Sequence, residues 1–182
     1  MTGRIVILSG PPGAGKSTTA RALAEQSDSP RAVHFHTDDF YGYIRKGYVD
    51  PWLVEASFQN AVIANAVKAV ASTYAAGGYD VFADGVVGPW LLEPWLQLAR
   101  EKTIAVHYVV LRPSEDVTVA RVVRRTVPSG ALRDGDVARA LWRQFSDLGT
   151  YESHALDTTG ESLDETVARL NSALTADRFR LR

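Results

Sequence analysis

The 182-residue chain contains no cysteine. Disulfides, thiolate metal sites and a cysteine nucleophile are therefore excluded outright. A reducing compartment is compatible with this, and a cytoplasmic location is expected. Neither sign of charge is in excess: 20 Lys and Arg face 21 Asp and Glu, for a formal net charge of -1. A nucleic-acid or acidic-membrane partner would usually require a basic stripe, so neither is expected. No apolar run is long enough to span a bilayer. The first apolar run is only a strand long and is not read as a signal peptide. Four histidines without metal-ligand spacing give no zinc site. Repeats, low-complexity tracts and linkers are also missing, so residues 1–182 are expected to form a single domain, as a monomer or small homo-oligomer. With 46% hydrophobic and 23% charged residues, the composition is that of an ordinary globular protein with a real core.

What the chain does have is Gly10-Pro11-Pro12-Gly13-Ala14-Gly15-Lys16-Ser17, which fits G-x-x-x-x-G-K-[ST]. In such a P-loop the glycines let successive backbone N–H groups turn inward around a phosphate chain. Lys16 adds a point charge and Ser17 a hydroxyl for Mg²⁺. The flanks suit the motif. Arg4 to Leu8 is a short β-branched run, as a buried parallel strand should be. Ser17 to Glu25 carries Ala20, Leu23 and Ala24 on one helical face. The helix N-terminus, with Thr18 in its first turn, adds its dipole to the anion site.

The remaining chain alternates strand and helix, which predicts an α/β fold with a parallel sheet covered on both faces. Strands are expected at 32–36, 80–83, 103–111 and 154–157. Helices are expected at about 54–76, 90–100, 114–126, from Asp134 or Asp136 to 148, and 162–176, with Ser114 and Ser162 as N-caps. The segment from Phe40 to Trp52 reads as irregular. Ligands of open parallel sheets bind at the carboxyl ends of the strands. Here those ends carry the P-loop, Thr37-Asp38-Asp39, Asp84-Gly85, Arg112 and Asp157-Thr158-Thr159-Gly160.

Each polar residue has a chemical reading and a plain one. Asp38 or Asp39 can accept a proton from an attacking hydroxyl, while the other caps the following turn. Asp84 suits the shell of a Mg²⁺ ion, or merely opens an Asp-Gly turn. Arg121 and Arg125 are i,i+4 neighbours before the Pro128-Ser129-Gly130 break. They suit a short lid that closes over a nucleotide, or a solvated face. His36, Tyr41, Tyr43, Arg45, Lys46, Trp52 and Trp90 suit a substrate pocket, or ordinary packing.

The P-loop, Asp38, Asp84, the Arg121/Arg125 helix and the Thr158-Thr159-Gly160 loop together follow the order of small P-loop kinases. The chain most resembles the chloramphenicol phosphotransferase-like and zeta-toxin-like group, which is related to tunicamycin-resistance proteins and gluconate kinases. His34-Phe35-His36-Thr37-Asp38-Asp39, Asp50-Pro51-Trp52, Asp84-Gly85-Val86-Val87 and His107 to Arg112 also resemble small bacterial proteins labelled only as ATPases or kinases. The resemblance implies a three-layer P-loop NTPase sandwich with strand order 2-3-1-4-5, using ATP and Mg²⁺ to phosphorylate a hydroxyl of a small molecule. It implies Asp38 as base, Arg121 against adenine, Arg125 on phosphates, and Thr159 and Gly160 beside the base. The acceptor stays open between an antibiotic, a sugar acid, a nucleotide-linked sugar and a nucleoside. Two other classes also stay open: a nucleotide-hydrolysing switch, against which no glutamine is evidently placed to activate water, and a nucleotide-binding regulatory module.

Overall fold

The computed structural model describes residues 2–101, 103–124 and 132–182. Five strands, β1 (Arg4–Ser9), β2 (Ala32–His36), β3 (Asp80–Asp84), β4 (Ala105–Leu111) and β5 (Ala155–Leu156), form one parallel sheet. The order is β2-β3-β1-β4-β5, as expected from the resemblance. The central β1 and β3 are apolar and buried on both faces, which accounts for their continuous Val, Ile, Leu and Phe content. Edge strand β2 is half-buried throughout.

The helices are α1 (Lys16–Glu25), α2 (Asp39–Gly42), α3 (Ser57–Ala76), α4 (Glu93–Arg100), α5 (Glu115–Val123), α6 (Gly135–Arg143) and α7 (Leu163–Thr175). On one face Ile5, Ile7, Val81 and Tyr108 pack with Val67 and Ala71 of α3 and Trp95 of α4. On the other, Val6, Leu8, Phe82 and Val109 pack with Leu23 of α1 and Val167 and Leu170 of α7. The result is a three-layer α/β sandwich.

Several boundaries differ from expectation for local reasons. The helix expected over 90–100 is a 3₁₀ turn at Pro89–Leu91 followed by α4, because Pro94 is tolerated only in a first turn. The helix expected to reach 148 stops at Arg143, and Phe145 then turns fully into the core. Phe40 to Trp52 is not wholly irregular, since α2 forms one helical turn there. Ser114 occupies the N-cap of α5 but its side chain makes no cap bond, whereas Ser162 and Glu165 form the expected reciprocal capping box on α7. Beyond α7 the chain runs back along β4: Leu181 N donates to Val106 O at 2.8 Å and Tyr108 N to Phe179 O at 2.9 Å. That antiparallel strap was not expected.

Candidate active site

The P-loop joins β1 to α1. Gly15, at the N-cap of α1, has φ 93°, a left-handed conformation that side-chain-bearing residues rarely adopt. Gly13 has φ 87° and lies so near the Thr118 carbonyl of α5 that a side chain there would collide with backbone. The glycines thus shape the loop and seat α5 beside it. Lys16 is buried, and its Nζ donates to Pro11 O at 3.0 Å, across the mouth of the loop.

Next to the loop lies a hydrogen-bonded network centred on Asp84, whose side chain is wholly buried. Ser17 Oγ donates to Asp84 Oδ2 at 2.6 Å. His34 Nε2 lies 2.6 Å from Oδ1 and His36 Nδ1 2.8 Å from Oδ2. Both histidines reach Asp84 because they alternate onto one face of β2, and His36 stands in register with Asp84 on β3. Burial alone would push the Asp84 carboxyl up, but hydrogen bonds from His34, His36 and Ser17 outweigh it and hold it well below the usual carboxylate range. The hydrogen bond to Asp84, against the effect of burial, raises His36 above its ordinary value. The outer nitrogen of His36 is 3.5 Å from Asp38 Oδ2, so the network ends at Asp38.

Neither aspartate of the Asp38-Asp39 pair caps the turn in the way the sequence suggested. Asp38 sits at the N-cap of α2 without a side-chain cap bond, and Asp39 is already in the helix. The Asp38 carboxylate, about half exposed, lines the cleft instead.

That cleft has a volume of 1090 Å³ and runs from Gly13, Gly15, Lys16, Ser17 and Thr18 past Asp38 and Asp39 to an aromatic end. His36, Tyr41, Trp52, Trp90 and Arg121 line it as well. Arg45, expected beside them, is exposed and outside the lining, as are Tyr43 and Lys46; Ile44 and Tyr48 hold those places. Burial and the nearby Asp38 push the Tyr41 phenol up to about 12. Its hydroxyl donates to Asn60 at 3.0 Å, and Asn60 in turn donates to the Pro51 carbonyl at 2.8 Å. Gln59 grips both backbone groups of Val49, at 2.9 and 2.7 Å. The segment before α3 is therefore fastened to it by two adjacent amides, which the sequence gave no reason to single out. The loop after β3 is held similarly: Ser9 Oγ and Tyr108 Oη both donate to the Val87 carbonyl, at 2.7 and 2.8 Å.

A smaller hollow of 270 Å³ lies on the other side of Arg121, lined by Ala14, Gly15, Thr18, Thr158 and the start of α7. Thr159 is occupied structurally, accepting from Ser114 N at 2.8 Å. The neighbouring Thr158 faces the hollow, with a buried hydroxyl that has no protein partner among the described residues. Gly160 is not among the residues lining either space. Arg112 is held by the Phe145 carbonyl and Glu152, and so leaves the strand-end cluster. α6 braces α5 through the Arg139–Glu115 ion pair at 2.6 Å and a bond from Trp142 Nε1 to Pro113 O at 2.9 Å. Arg125, the other expected lid residue, lies outside the described residues.

The sequence matches the AAA domain family over residues 5–147, most of the chain. The chain belongs to this AAA domain family. No curated protein matches it. Among solved structures, this AAA domain protein resembles the tunicamycin resistance protein of Deinococcus radiodurans, with 18% identity, 99% coverage of both chains and a TM-score of 0.65. A sugar kinase from Janibacter sp. aligns with 18% identity over 95% of each chain, with a TM-score of 0.67. The Mycobacterium tuberculosis APS kinase CysC, solved with AMPPNP and APS, aligns with 18% identity over 96% of this chain and 98% of its own, with a TM-score of 0.65. At such identities the likeness establishes a shared fold.

Proposed function

We propose that this AAA domain protein is an ATP-dependent phosphotransferase that moves the γ-phosphoryl group to a hydroxyl of a small molecule. The observation that carries this reading is one cleft lined at one end by Lys16 and Ser17, midway by the Asp38 carboxylate, and beyond it by room for an acceptor. The kinases among the solved structures of the same fold support it.

On this reading Lys16 leaves the Pro11 carbonyl for the phosphate chain, and the loop amides surround the β-phosphate. Asp38 takes the proton of the acceptor hydroxyl as that oxygen bonds to the γ-phosphorus. The bond from phosphorus to the β–γ bridging oxygen breaks, and ADP leaves with the electron pair. Arg121, which lines both spaces, would lie between the phosphates in the cleft and an adenine in the smaller hollow, and would offset charge on the transferring group.

Ser17 Oγ, hydrogen-bonded to Asp84 at 2.6 Å beside the P-loop, would ligate a Mg²⁺ ion, with Asp84 in its outer shell. Such an ion would supply positive charge to offset that of the phosphates. His34 and His36 hold the Asp84 carboxylate in place and would keep it ionised beside that ion.

The test is mass spectrometry of pooled hydroxylated compounds incubated with Mg²⁺-ATP and wild type, Lys16→Ala or Asp38→Asn protein. The expected result is a compound heavier by one phosphoryl group with the wild type alone. Gln144, at the C-cap of α6, lines the cleft after all and gives the hydrolytic reading a candidate water-orienting group. Brisk ATP hydrolysis without acceptor, lost in Gln144→Ala, would replace the phosphotransferase reading with a hydrolase.

A further inference from the structure

The chemistry of the acceptor end of the cleft narrows the substrate class, a step that rests on the phosphotransferase reading. Beyond Asp38 the walls are largely apolar, with Tyr41, Tyr48, Asn60 and Gln144 as the polar side chains among the described lining. Ile44, Ile63, Val67, Val86, Leu91 and Leu141 line them, drawn from four separate parts of the chain. Aromatic rings complete the enclosure. The Trp90 ring lies against Gly88, where a side chain would occupy the same space, and its centroid is 5.6 Å from that of buried Phe145. Trp90, 53% exposed, is thus packed on one side and leaves ring surface open to a ligand.

Among the described residues, the charged side chains at this end are acidic apart from His36. Among the described residues lining the cleft, the lysine and arginine are Lys16 and Arg121, both at the phosphate end. Arg45 and Lys46 are exposed and outside the lining. Asp38 and Asp39 flank the acceptor space, and His36 is already held between Asp84 and Asp38. The Tyr41 hydroxyl and the Asn60 amide are hydrogen-bonded within the protein. A carboxylate, phosphate or sulfate entering here would face two carboxylates and lose its water without gaining a lysine or arginine among the described residues.

We infer that the acceptor is an uncharged alcohol with an apolar, ring-sized body. The hydroxyl meets Asp38 while the ring lies against Trp90 and the α3 side chains. Acceptors bearing an anionic group are rejected, which removes sugar acids and nucleotide-linked sugars from the candidate acceptors.

A matched pair of dyes tests the cleft directly. N-Phenyl-1-naphthylamine is uncharged; 8-anilino-1-naphthalenesulfonate has the same body plus a sulfonate. Both are titrated by fluorescence against the full chain with ADP present to occupy the P-loop. The uncharged dye is expected to bind at least about tenfold more tightly, since the sulfonate meets like charge there. Ala64→Lys, which puts a cation into the lining from a helix position that tolerates lysine, is expected to reverse the preference while its melting curve remains cooperative. Equal or tighter binding of the sulfonate by the wild type overturns the inference, as does failure of both dyes to bind.

A phosphorylation panel of uncharged ring alcohols, sugar acids and nucleotides separates this inference from the reading it rests on. Phosphate appearing only on anionic acceptors overturns the substrate class and leaves the phosphotransferase standing. Phosphate on no acceptor at all, with nucleotide bound, removes the phosphotransferase; the dyes then decide by themselves what the cleft accommodates.

Discussion

Asp38 differs from Asp39 in what its position leaves it to do. It starts α2 without capping it and ends the network that runs from Ser17 through Asp84 and His36. Asp38→Asn is expected to lower kcat by about 10²- to 10⁴-fold with little change in the KM for ATP, the scale of a lost general base. Asp39→Asn is expected to fall well short of that, and steady-state kinetics on both variants checks the assignment. Asp84 carries a different burden. Its carboxylate has no solvent exposure and bonds to Ser17 and two histidines, so Asp84→Ala leaves three polar groups short of a partner. The histidines keep some contact with water, which screens part of the loss, so a destabilisation of about 2–3 kcal/mol is expected in urea titration.

At the scale of elements, the cleft wall depends on α3 holding the segment before it. Gln59 and Asn60, adjacent on that helix, bond to Val49, Tyr41 and Pro51. Replacing both with alanine frees the segment that carries Trp52. Acceptor KM is expected to rise by about tenfold while the KM for ATP holds, since poor positioning costs the acceptor step alone. Faster hydrogen exchange at the Val49 amide would accompany it. A kinetic change that fell equally on both substrates would mean that the clamp supports the whole domain and not one wall.

Over the whole molecule, the strap beyond α7 closes the sheet at β4. Phe179 is fully buried and Leu181 nearly so. Phe179→Ala is expected to cost about 3–5 kcal/mol of global stability, read from denaturant midpoints. The strap also sets a pH dependence. Burial, opposed by the Asp177 carboxylate and helped by Arg4 and Arg180, lowers His107 below its ordinary value. Its Nε2 lies 3.0 Å from Asp177, and its Nδ1 is buried without a partner among the described residues. Between the lowered folded value and the unfolded one near 6.5, the unfolded chain binds more protons. This contribution to stability is therefore intact above about pH 6.5 and declines as pH falls below it, by at most about 1.4 kcal/mol per pH unit. His107→Gln is expected to flatten that part of the stability profile; an unchanged slope would assign it to other groups.

The amino-acid sequence by itself determined the parts whose physics is local. The P-loop needs glycine where φ is positive, the strands need β-branched runs, and the Ser162–Glu165 cap needs only four residues. These were legible one after another along the chain, and with the family resemblance they yielded the strand order. Only tertiary structure decided which polar residues meet. His34 and His36 turn toward Asp84 because β2 lies beside β3 in one register, and nothing within β2 specifies that register. Arg112 reads as a cleft residue until Glu152, forty residues on, takes it away. Arg45 lies outside the cleft while Ile63 and Val67 of a distant helix line it. A sequence lists the groups available at the strand ends; distance, burial and hydrogen-bond competition between remote segments choose among them.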